Sequence, residues 1–78
     1  MTNIYPAPSK WFRLYLKRQK CNCKTNGSFE IWSNGSKNYN IANNCIFSKH
    51  KSELILSNLG LPFEKFEESL TKHMNTYK

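Results

Sequence analysis

Trp11, Arg13, Tyr15 and Lys17 stand at alternate positions, and this interleaving of rings with cations is the pattern in the sequence best suited to chemistry at a surface. Aromatic rings stack on unpaired bases while Lys and Arg engage phosphate, the combination that single-strand binders use. On an extended strand the four side chains would project from one face, opposite Phe12, Leu14 and Leu16, and Trp32 would join them from a neighbouring strand. Arg18, Lys20, Lys24 and Lys37 would extend the positive field along edges and turns. A plainer alternative stands beside this one: Trp11, Tyr15 and Trp32 cover the second sheet face, and the lysines only solubilise and protect sheet edges.

The charge supports a negatively charged partner. The chain carries a net +7 over 78 residues. Residues 1–52 hold nine basic side chains, including Lys10, Lys49 and Lys51, against one acid, Glu30. Residues 53–78 hold three basic and four acidic groups. Cations concentrated in this way fit nucleic acid, an acidic protein surface, or a nucleoprotein presenting both.

Other chemistry is less well supplied. The chain has no Asp, and no Ser, His and acid fall at a recognisable catalytic spacing, so the expectation is a protein that is not an enzyme. Cys21, Cys23, Cys45 and His50 offer three thiols and an imidazole to a zinc ion. Their spacing departs from the usual pairs two to four residues apart, and free thiols are the competing reading. No cofactor is expected. An odd number of cysteines argues against a secreted disulfide framework, and the opening MTNIYPAPSK lacks the charged head and apolar stretch of a signal peptide. No apolar run approaches the roughly 18 residues of a membrane span. These features predict a cytoplasmic protein with no membrane partner. Docking on a membrane surface would need residues 9–20 to form an amphipathic helix, with Arg13, Lys17 and Lys20 on one side.

The elements that must position these groups form one domain. Ordering so short a chain costs on the order of 100 kcal/mol, and Leu, Ile and Phe number only seventeen, so the eleven aromatic residues must supply much of the core. Residues 1–9, with Pro6 and Pro8, read as an extended arm. The segment Trp11–Lys20 reads as a strand by its period of two, with a helix capped by Ser9 and striped by Trp11, Phe12, Tyr15 and Leu16 as the competing reading. Lys24-Thr25-Asn26-Gly27 and Asn34-Gly35 read as turns bounding a strand of about six residues, with Lys37–Ile41 as the return strand and Cys45-Ile46-Phe47 as a short fourth. From Ser48 the period becomes helical. Ser48 caps a helix through Leu59, Gly60 stops it, and Pro62 opens a second helix whose Phe63, Phe66, Leu70, Met74 and Tyr77 share a face. The predicted architecture is α+β: a three- to four-stranded antiparallel meander over residues 10–47, packed against a C-terminal helical hairpin over 48–78. Ten asparagines are read as compositional bias.

The turn Asn34-Gly35-Ser36-Lys37 and its following strand, the helix entry Phe47-Ser48, and the stop Leu59-Gly60-Leu61-Pro62 before a second helix resemble the layout of small phage anti-CRISPR proteins. The likeness is to the family that inhibits type I-F surveillance complexes, and it extends over residues 34–78. It implies a non-enzymatic inhibitor that binds a CRISPR effector by protein contact, with no family contact position that maps onto this chain. A mimic of DNA would be acidic, so a basic chain would have to occupy an anionic surface or engage the guide or target nucleic acid. The expected function is therefore a basic binding protein of phage or mobile-element type that inhibits or regulates a nucleic-acid-handling complex by occupancy. The alternative is a direct nucleic-acid-binding regulator that uses the basic and aromatic sheet face.

Overall fold

A computed structural model describes residues 4–76. The chain runs α1 (Ser9–Arg18), β1 (Asn22–Asn26), β2 (Phe29–Asn34), β3 (Lys37–Ala42), α2 (Lys49–Asn58) and α3 (Phe63–Thr76). The α+β expectation holds: three antiparallel strands in the order β1-β2-β3 form an open sheet with the helices packed against it. Residues 1–3, part of the expected arm, and Tyr77 and Lys78 lie outside the described residues.

The largest departure is at residues 9–18, which form α1 and not the first strand of the sheet. Phe12 and Leu16 are inward on either reading, being four apart. Trp11 and Tyr15 decide the matter, because both are buried while Leu14 is 49% exposed. Burying 11, 12, 15 and 16 follows the helical period and buries two more large rings than the strand would. Ser9 is the first helical residue and not the cap; Pro8 holds that position with extended backbone, and no side chain caps the helix. Lys17 and Arg18 occupy the last turn, where the helix dipole favours cations.

Two-residue loops close both hairpins. The register pairs Asn26 with Phe29 and Asn34 with Lys37, so each Asn ends a strand, and Gly27-Ser28 and Gly35-Ser36 make the turns. Gly27 (φ 63°) and Gly35 (φ 66°) supply the positive φ that such loops need at their first position. The expected turn at Lys24-Thr25 is therefore strand. The expected fourth strand at Cys45-Ile46-Phe47 reduces to one bridge, in which Ala7 N–H donates to the Phe47 carbonyl at 2.9 Å. That bridge also ties down the described end of the arm. Ile4 and Tyr5 pack against the core, and the Tyr5 hydroxyl donates to Glu67 at 2.9 Å.

The C-terminal helices follow the sequence reading. The Ser48 hydroxyl accepts from Lys51 N–H at 3.2 Å, and Gly60 ends α2 with φ 71°. Phe66 sits at the centre of the core. Its ring lies 5.6 Å from Trp11, 5.2 Å from Phe12 and 5.3 Å from Tyr15, while Phe12 stacks on Phe47 at 4.2 Å. Trp32 and Ile41 close the cluster from the inner sheet face.

α1 and α2 end by the same device with different residues. After α2, Gly60 N–H bonds the Ser57 carbonyl and Leu61 N–H the Leu56 carbonyl; after α1, Lys20 N–H bonds Lys17 and Cys21 N–H bonds Leu16. In α1 the left-handed position is held by Lys20 at φ 68°, where a side chain is strained by about 1–2 kcal/mol. Lys20→Gly is expected to raise stability by about 0.5–1 kcal/mol after the greater unfolded-state entropy of Gly is deducted, measured by urea unfolding. Loss of stability would show that Lys20 makes a compensating contact.

Candidate functional site: the cationic face of α1

The rotation of α1 sorts the candidate residues. Positions two apart on a helix differ by about 200° and positions four apart by about 40°. Trp11 and Tyr15 therefore share the inward side, whereas Arg13 and Lys17 share an outward one. The predicted platform does not form: Trp11, Tyr15 and Trp32 are all buried, because their rings were needed to complete the core. Lys10, Leu14, Lys17 and Arg18 remain on the solvent side, all exposed, and Lys20 extends the group past the helix end. None of these cations has an acidic partner within ion-pair distance among the described residues.

Arg13 is occupied internally. Its Nε donates to both carboxylate oxygens of Glu30, at 2.9 and 3.0 Å, and Nη2 to the Asn43 carbonyl at 3.4 Å. Nη1 donates to the carbonyl and hydroxyl oxygens of Ser9, and the guanidinium lies 5.4 Å from the centre of the Phe47 ring. Trp32 Nε1 donates to Glu30 at 2.8 Å. Arg13 thus joins α1, β2 and the loop after β3, and its charge is balanced on the spot. Lys37 lies over Gly60 at the turn between α2 and α3, and Lys24 sits on the outer face of the sheet, so neither belongs with the α1 group.

The thiols are dispersed. Cys21 is buried, Cys23 exposed and Cys45 half-buried, and all three are free. Among the described residues no three His, Cys, Asp or Glu side chains gather where they could hold a metal ion, so the zinc site considered for Cys21, Cys23, Cys45 and His50 does not assemble. Cys21 and Cys23 border one depression beside Glu30, and neither Cys45 nor His50 lines it. Burial pushes the Cys21 thiol above its ordinary range. Burial, and then the Glu30 charge, do the same to Cys23 against the weaker pull of Lys17 and Arg13. Both shifts reduce the thiolate fraction that nucleophilic chemistry requires. No helix among the described residues is long and apolar enough to cross a membrane.

Two sets of surface residues escape the sequence pattern. The first is a groove between α1 and the second half of α3, where Lys10, Leu14 and Arg18 recur every four residues opposite Lys72. That repeat was legible in the sequence, but a strand reading splits it between functions. The second is the outer sheet face. Strand register aligns Lys24, Ile31 and Asn40 in one row, Asn26, Phe29 and Ala42 in another, and Asn22, Ser33 and Asn38 in a third. Four of the ten asparagines therefore lie on one solvated surface around Phe29 and Lys24, which composition alone could not reveal.

Burial alone would raise the Glu30 carboxyl, but the hydrogen bonds from Arg13 and Trp32 and the positive charges of Arg13 and Lys17 outweigh it and hold the group below its ordinary 4.5. A carboxylate depressed by folding stabilises the fold above its unfolded pKa, and that stability is lost as pH falls through the folded value. Glu30→Gln is expected to be less stable than the parent at pH 7, with the gap closing as pH falls below the ordinary 4.5 and through the lowered folded value, in urea unfolding followed across pH. A gap that is constant with pH would remove the ion pair as its cause.

Compared with protein-family models, curated proteins and solved structures, the chain matches none, so its function has to be read from the chemistry of its own surface.

Proposed function

We propose that this protein is a small, non-enzymatic binding protein of phage or mobile-element type, which acts by occupancy in the cytoplasm. It meets an acidic surface of a nucleic-acid-handling complex, a CRISPR effector among the candidates, with the solvent face of α1. The observation that carries this reading is the set of cations Lys10, Lys17 and Arg18, none with an ion-pair partner among the described residues, around the exposed Leu14. Specific protein interfaces place an apolar contact inside a polar rim, and opposed charge steers the encounter. Burial of Trp11, Tyr15 and Trp32 removes the stacking surfaces from this side, which weighs against single-stranded nucleic acid there. The phage and anti-CRISPR part of the proposal rests on the layout of residues 34–78 and on chain size.

A second reading has its own observation. The outer sheet face offers Phe29 for stacking, Lys24 for phosphate, and the amides of Asn22, Asn26, Asn38 and Asn40 for base edges. Under this reading direct nucleic-acid binding falls to this face.

Affinity capture from a host lysate, with and without nuclease, separates the two. Under the first reading the captured protein survives nuclease, is lost by at least about tenfold with the double variant Lys17→Glu, Arg18→Glu, and is retained by Lys24→Glu. Capture that depends on nucleic acid and fails with Lys24→Glu or Phe29→Ser would overturn it in favour of the second. Binding of a labelled single-stranded oligonucleotide through about six phosphates would also fall roughly a thousandfold between about 50 and about 200 mM salt.

A further inference from the structure

Two adjoining cavities, of about 580 and 520 Å³, run along the seam between α1 and the C-terminal half of α3. Both are lined by Trp11, Leu14 and His73, so together they form one groove. Its apolar contacts come from Trp11, the half-exposed Leu14 and Met74, and its cations from Lys10 at one end and from Arg18 and Lys72 at the other. Among the described residues no carboxylate lines either cavity. The acids of α3 lie elsewhere: Glu64, Glu67 and Glu68 border a separate depression beside Ile4 and Thr71.

Along α1 the sequence of groups is cation, apolar side chain, cation, one turn apart. From Lys10 through Leu14 to Arg18 the helix rises about 12 Å. A partner helix that matches this wall presents the complementary order: a carboxylate, an apolar side chain one turn later, and a carboxylate one turn beyond that. The apolar side chain would leave water against Trp11, Leu14 and Met74, and the carboxylates would meet Lys10 at one end and Arg18 with Lys72 at the other. Charge complementarity selects the occupant, because a basic segment would be repelled at both ends and a purely acidic one would leave the apolar floor wet.

We infer that this groove binds an acidic amphipathic helix of the partner, with one apolar residue seated between two carboxylates. This inference rests on the reading of α1 as the surface that meets an anionic partner and adds the shape of what it recognises. A second copy of this chain is a poor occupant, since its acids on α3 are clustered within one turn and a half and do not flank an exposed apolar residue at four-residue steps.

The probe is a fluorescein-labelled synthetic helical peptide carrying Glu, Leu and Glu at successive four-residue steps. Its controls are the same peptide with Ser in place of Leu and a polyglutamate of equal charge. Binding is read by polarisation, and its location by the indole N–H signals of Trp11 and Trp32 in nitrogen–proton spectra. The Leu peptide is expected to bind roughly tenfold to a hundredfold more tightly than the Ser peptide, moving the signal of Trp11, which lines the groove, and not that of Trp32, which does not. Leu14→Glu, at a half-exposed position, should abolish that difference, and Lys49→Glu, exposed on α2 outside both surfaces, should leave it unchanged. Equal binding of the Leu and Ser peptides would overturn the groove while the cationic-face reading stands. No binding of any anionic peptide at about 50 mM salt, a concentration at which surface charges are weakly screened, would overturn both. A single-stranded oligonucleotide that displaces the peptide at lower concentration and shifts Trp11 would give the groove to nucleic acid and end the proposal.

Discussion

Packing of the α1 stripe Trp11, Phe12, Tyr15 and Leu16 around Phe66 fixes the rotation of that helix, and the rotation sets the direction of every cation it carries. A turn of about 100° in either direction would put Lys or Arg against the aromatic cluster, at the cost of burying an unpaired charge. The surface chemistry of the protein is thus a by-product of its core. With no Val and few aliphatic residues, the chain fills its interior with rings, and four of the largest buried side chains are aromatic. Rings placed inside in this way are unavailable for stacking outside.

The pairing of Arg13 with Glu30 has the same double consequence. Glu30 is the lone acid of the first 52 residues and is almost buried on the inner face of β2. There it needs partners, and Arg13 and Trp32 Nε1 satisfy it, while Arg13 also reaches Ser9 and Asn43. Breaking such a pair leaves a charge in a poorly solvated place, which is why it acts more as a fixing point for α1 than as a source of net stability. Because this acid is committed to Arg13, nothing within α1 or β1 neutralises Lys10, Lys17, Arg18 or Lys20. The cations of α1 are left facing solvent on the same side as Leu14.

The sheet divides the molecule further. Its inner face, through Glu30, Trp32 and Ile41, belongs to the core. The outer face carries amides, Phe29 and Lys24 on the opposite side from the α1 groove. The helical side combines apolar contacts with cations, suited to an acidic protein segment. The sheet side combines amides with a ring, suited to hydrogen-bonded recognition of a flat ligand. Residues that lie close in sequence, Lys20 and Lys24, are thereby assigned to different surfaces.

Local signals were sufficient at several positions where the backbone needed a particular residue, though not at Lys20, which holds the left-handed end of α1. Gly35 and Gly60 marked a hairpin and a helix stop because positive φ is cheap only for glycine. Ser48 marked a helix entry because its hydroxyl accepts a backbone N–H that the first turn leaves unpaired, and the three- and four-residue repeat of Phe63, Phe66 and Leu70 could belong only to a helix. The concentration of cations before residue 52 was likewise plain. At residues 9–20 the sequence was compatible with two periods, because Phe12 and Leu16 are inward on both. Only the cavity left by Phe66, Phe47 and the inner sheet face selected the one that also buries Trp11 and Tyr15. Net charge, the Asn34-Gly35 turn, the Ser48 cap, the Gly60 stop and the C-terminal helical pair were thus determined by the sequence itself, through short-range sterics and composition. Which cations face solvent, which one is neutralised and which rings are hidden were decided by tertiary packing, since those depend on residues far apart in the chain meeting in space.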